Sequence, residues 1–71
     1  MSEIGRKIYK YREEKAISVQ ELALKVRCGT KTIEEYEKGT LIPNVQTLMK
    51  LSTALDVPAT ELADAQYHKT I

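Results

Sequence analysis

The sequence has no tryptophan or phenylalanine, and only one cysteine, one histidine, two prolines and three glycines among 71 residues. Each shortage excludes something. A lone cysteine, Cys28, rules out an internal disulfide and a paired-cysteine metal motif, which agrees with a reducing, cytoplasmic setting. The only histidine, His68, has no nucleophile–base pair or glycine-rich phosphate loop to accompany it, so no catalytic residue, metal or cofactor is expected. No apolar run approaches the roughly 20 residues of a membrane span, and the opening MSEIGRKIYKYREEK carries charges where a signal peptide is apolar. No small-molecule ligand is indicated. The few prolines and glycines are expected to punctuate apolar-periodic segments. A chain of this length buries only about 60% of its unfolded surface, which predicts a single domain over 1–71 with one thin core.

The formal net charge of +1 conceals an asymmetry. Residues 1–31 hold eight Lys/Arg against four acids, or +4; residues 32–71 hold three against six, or −3. A polarised chain can present a basic face to nucleic acid while nearly neutral overall. Alone, this signal is weak.

Five helices are expected. The first runs from about Glu3 to Lys15, with Ile4, Ile8 and Tyr11 on one face and Arg12 at its border. Ser18-Val19-Gln20-Glu21 fits a capping box and opens a second helix of about eight residues, with Leu22, Ala23 and Val26 inward. Arg27-Cys28-Gly29 breaks the period. A third helix then runs from about Thr30 to Glu37, with Gly39 as its C-cap. Ile33 and Tyr36 form its narrow apolar stripe with Glu37 beside them, whereas Lys31, Glu34, Glu35 and Lys38 lie opposite. Asn44 caps a fourth helix, about Val45 to Leu55, whose inner face is read as Val45, Leu48, Leu51 and Leu55. Pro58 opens a short fifth helix through about Ala65, and residues 65–71 form a tail.

Two short helices joined by a tight turn, the second with an unused polar face, have the pattern of a helix-turn-helix over about 19–38. The competing reading is a five-helix bundle whose third helix is merely solvated. Pattern alone does not separate them.

The register of several fragments adds a resemblance. Ile17-Ser18-x-x-Glu21-Leu22-Ala23-x-Lys25-Val26, Thr32-Ile33-x-x-Tyr36-Glu37-Lys38-Gly39, Pro43-Asn44 and Leu48-x-x-Leu51 together resemble the Xre family, the phage repressor and Cro-like domains. The likeness covers residues 4 to about 63, within a core of about 4–64. It implies an all-α, compact five-helix repressor-like fold whose third helix enters the DNA major groove. It also implies a transcriptional regulator, a repressor in type, acting as a homodimer on a double-stranded operator with two half-sites. By position, Thr30, Lys31, Glu34 and Glu35 would face base edges. Val19, Gln20, Thr32, Lys38, Thr40 and Asn44 would lie against the phosphate backbone. Arg12 and Glu37 would form a partly buried ion pair between the first and third helices; an exposed Arg12 on a phosphate is the alternative.

Residue chemistry agrees with those roles. Lys31 is long enough to reach guanine O6 or N7, and the glutamates accept from cytosine N4 or repel phosphate. Their plainer role is helix solvation. Three departures from the family matter: Val19 replaces a phosphate-touching Gln, Arg27 replaces the turn's usual Gly, and three acids lie on or beside the third helix. That acidity favours the rival reading, a protein-interaction or coactivator module of the same fold with weak DNA affinity. Cys28 reads as a small buried hydrophobe, or as a redox switch if exposed with a lowered pKa. Leu62, Ala65, Tyr67 and Ile71 are apolar residues left over from the core, expected at a dimer interface unless Tyr67 folds back onto the first helix.

Overall fold

Helix ends are set by local chemistry, and the second helix shows this most clearly. The Ser18 Oγ accepts from the Glu21 N–H at 3.0 Å while the Ser18 N–H donates to the Glu21 carboxylate at 3.4 Å. This capping box starts α2 at Val19, and the helix closes at Val26 after eight residues. The computed structural model describes residues 3–62 and contains five helices: α1 Glu3–Glu14, α2 Val19–Val26, α3 Thr30–Lys38, α4 Val45–Leu55 and α5 Ala59–Leu62. Among the described residues there is no strand, and no helix is long and apolar enough to cross a membrane. The fold is all-α.

Four of the helices end in a similar way, with a left-handed residue just after the last turn. Those residues are Ala16, one residue beyond the C-terminal neighbour of α1, and Arg27, Gly39 and Asp56, which follow α2, α3 and α4 directly, at φ 56°, 60°, 89° and 59°. At each, a following N–H reaches back to the helix; Cys28 N to Ala23 O at 3.0 Å and Val57 N to Ser52 O at 3.0 Å are examples. Only one of the four is glycine. Arg27 therefore holds the left-handed conformation with a Cβ, at a cost of roughly 1–2 kcal/mol. Gly29 does not relieve it, since Gly29 sits extended at φ −79° as the N-cap of α3. Arg27→Gly is expected to raise stability by about 0.5–1 kcal/mol, the strain relieved less glycine's extra unfolded-state entropy. Thermal unfolding checks it; a lower melting temperature would show that Arg27 makes a compensating contact.

The core gathers one residue set from every helix. Ile4 and Ile8 of α1, Leu22, Ala23 and Val26 of α2, Ile33 and Tyr36 of α3, Leu48, Leu51 and Leu55 of α4, and Leu62 of α5 are all buried. Three expectations need correction. Val45 is 62% exposed and not on the inner face of α4; as the first residue of that helix it projects past the core, and Ser52 takes the inward place. Leu62 is 0% exposed within this single chain, so it is spent on the core and has no surface left for a dimer interface. Gly5 does not punctuate anything: it lies inside α1 and is buried. The expected interface residues Ala65, Tyr67 and Ile71 lie outside the described residues, as does the predicted end of the fifth helix.

Candidate nucleic-acid interface

The surface expected to meet DNA depends on how α3 is held. Its inner side is fixed by Ile33 (0% exposed) and Tyr36 (7%), which turn the remaining positions outward. Lys31, Glu34 and Lys38 are exposed; Thr30, Thr32 and Glu35 are half-buried on the flanks. Lys31 and Lys38 are seven residues apart, about 10 Å along the axis, with Glu34 and Glu35 between them. Among the described residues none of these four makes an ion pair, so their charges remain available to a ligand.

Backbone groups flank this face. At the start of α2 the capping box uses the Glu21 N–H, leaving the first-turn N–H groups of Val19 and Gln20 off the helix end. Gln20 is exposed, whereas Val19 packs its side chain against the core. Asn44 Oδ1 accepts from the Thr47 N–H at 2.8 Å and so fixes the start of α4. Thr40 is partly committed, because its hydroxyl donates to the Glu35 carbonyl at 3.3 Å and helps close α3. The turn between α2 and α3 is three residues, 27–29.

What locks α3 to the rest of the chain is an ion pair. Arg12 Nε donates to Glu37 Oε2 at 2.7 Å, Nη2 to Glu37 Oε1 at 3.3 Å, and Nη1 to the Ile17 carbonyl at 2.9 Å. The side chains are only 9% and 12% exposed. A two-pronged, charge-assisted contact with a third bond on the remaining nitrogen satisfies the guanidinium despite its burial. The hydrogen bonds from Arg12 to Glu37 push the Arg12 pKa above its ordinary value, against the opposing effect of burial. The guanidinium also stacks 5.4 Å from the centre of the Tyr9 ring.

Two contributors carry no obvious sequence signal. Gly5 brings α1 so close to the end of α3 that a Cβ there would collide with the Tyr36 carbonyl and lie 2.8 Å from that of Glu37. Tyr11 donates its hydroxyl to Glu61 Oε1 at 3.1 Å, tying α1 to α5. The only hint for Gly5 was a small residue beside Ile4 on the apolar stripe. Cys28 is half-buried against the core, and burial pushes its thiol pKa up, with Lys50 opposing. That leaves less thiolate, which suits packing better than redox chemistry.

The helix-turn-helix family model matches residues 8–62 of the chain. The chain belongs to the Xre family of helix-turn-helix domains. It is 44% identical over 54 residues to multiprotein-bridging factor 1 of Candida albicans, which covers 76% of this chain and 36% of that protein. It is 39% identical over 64 residues to the HTH-type transcriptional regulator SlrR of Bacillus subtilis, covering 89% of this chain and 42% of that one. The chain thus spans well under half the length of these curated relatives. Among solved structures it is similar to SinR, the master regulator for biofilm formation, in complex with DNA: TM-score 0.80, 37% identity, 86% of this chain and 98% of that one. SinR and the restriction-modification controller protein C.AhdI of Aeromonas hydrophila, whose structure the chain also resembles, are regulators rather than enzymes.

Proposed function

We propose that this Xre-family domain is a sequence-specific regulator of repressor type that binds double-stranded DNA as a homodimer, inserting α3 into the major groove. One observation carries the reading. The outward face of α3 is polar, without an ion pair among the described residues, and held in place by the Arg12–Glu37 pair, on a fold that matches DNA-bound SinR over nearly all of that chain. Lys31 and the two glutamates address base edges, with Thr30 at their border. Val19, Gln20, Thr32, Lys38, Thr40 and Asn44 address phosphates. Base contacts are worth about 1–3 kcal/mol each, so a single domain binds weakly and a two-half-site dimer is the natural remedy. A DNA target also accords with the cytoplasmic setting expected from the sequence.

A salt titration tests this. If a dimer contacts about six phosphates, log K falls with log[salt] at a slope near −5. Lys31→Ala is expected to lower affinity for the preferred duplex by about 1–3 kcal/mol with little loss on random duplex. Equal losses on both would reduce Lys31 to a phosphate contact. Absence of any shift at low salt would instead favour the second reading, a protein-interaction module. That reading has its own support in the similarity to the bridging factor and in the acidity of α3.

A further inference from the structure

A shallow groove of about 520 Å³ lies on the outer side of α4, lined by Lys25 of α2 and by Met49, Lys50, Thr53 and Ala54 of α4. It shares no residue with the proposed DNA surface. Its apolar part is Met49, 52% exposed, with half-buried Ala54 beside it. Among the described residues its only formal charges are the two lysines, both exposed, and neither makes an ion pair.

We infer that this groove receives an acidic amphipathic helix of a partner protein. Apolar side chains of the partner cover Met49 and Ala54, and its carboxylates meet Lys25 and Lys50. Charge complementarity around an apolar centre selects this occupant. A nucleic-acid strand would satisfy the two ammonium groups but would set phosphates against the thioether of Met49. An uncharged helix would satisfy Met49 but leave both lysines without a counter-charge. A helix with apolar anchors at i, i+3 and i+4 and flanking acids meets both requirements. Because the groove is separate from α3, one domain can hold duplex and partner together.

The probe is a fluorescein-labelled synthetic peptide of about five helical turns, built from Leu, Ala, Glu and Asp with leucines on one face. A peptide of identical composition with the leucines scrambled is the control. Saturable binding of the first peptide alone is expected, with backbone amide shifts in the intact chain concentrated on Lys25, Met49, Lys50, Thr53 and Ala54. Lys25→Glu combined with Lys50→Glu is expected to weaken binding about tenfold or more, and Met49→Ser to weaken it with the charges intact. Those three side chains are exposed, so an unchanged melting temperature confirms that the variants fold. No saturable binding, equal binding of the scrambled peptide, or shifts centred on α3 or on Arg6, Lys7 and Lys10 of α1 would each overturn the inference.

Discussion

Arg12→Ala is expected to destabilise the domain by about 3–5 kcal/mol, because it strands the buried Glu37 carboxylate. The size follows from burial. Glu37, part-buried at 12% exposure, recovers only part of its lost partner from water, and the Ile17 carbonyl loses a donor as well. In a chain this small, one kcal/mol is worth roughly 4–8 °C of melting temperature. Thermal unfolding should therefore show a loss well beyond ten degrees, or no folded state at all. Glu37→Ala should be similarly harmful. Replacing both residues with methionine should recover part of the loss, since two apolar groups leave no buried charge unpaired. A single variant that melts with the parent would show that the pair is dispensable.

Gly5→Ala is expected to cost about 1–3 kcal/mol or more, as overpacking does at a closed contact. The sign makes this a sharp test. In an ordinary helix interior the same substitution stabilises by roughly 0.5–1 kcal/mol. Here the added methyl meets the carbonyls of Tyr36 and Glu37, which are backbone and cannot rotate aside. Relief requires α1 to move off α3, which would also stretch the Arg12–Glu37 contact. Denaturant titration decides: a gain in stability would mean that the two helices are not in such close approach. Both variants should also weaken DNA binding, by loosening the helix that carries Lys31.

Much of this structure is written in local sequence signals. Ser18 and Glu21 set the start of α2 to the residue, Asn44 that of α4, and Gly39 the end of α3, because a cap is decided by a few neighbouring groups. The outward position of Lys31 and Glu34 followed from the helical period of Ile33 and Tyr36. What failed depended on other elements. Val45 has the right spacing for the inner face of α4 but no neighbour covers it, and Leu62 seemed spare only because the space it fills is made by the helices around it. Gly5 was misjudged for the same reason: nothing in its own helix reveals a carbonyl of α3 above it. Arg27 stands between these cases. Its position after α2 marked a turn, but only the backbone shows that it keeps the left-handed form usually given to glycine.

The proposed contact of α3 with base pairs is tested most directly by selecting bound duplexes from a random pool, with the parent chain and with Lys31→Ala in parallel. Enrichment of a two-fold symmetric site with half-sites about 10–10.5 base pairs apart is expected. Lys31→Ala should relax the preference at one position in each half. Failure to enrich any sequence, or an identical consensus for both proteins, would contradict a base-reading role for α3.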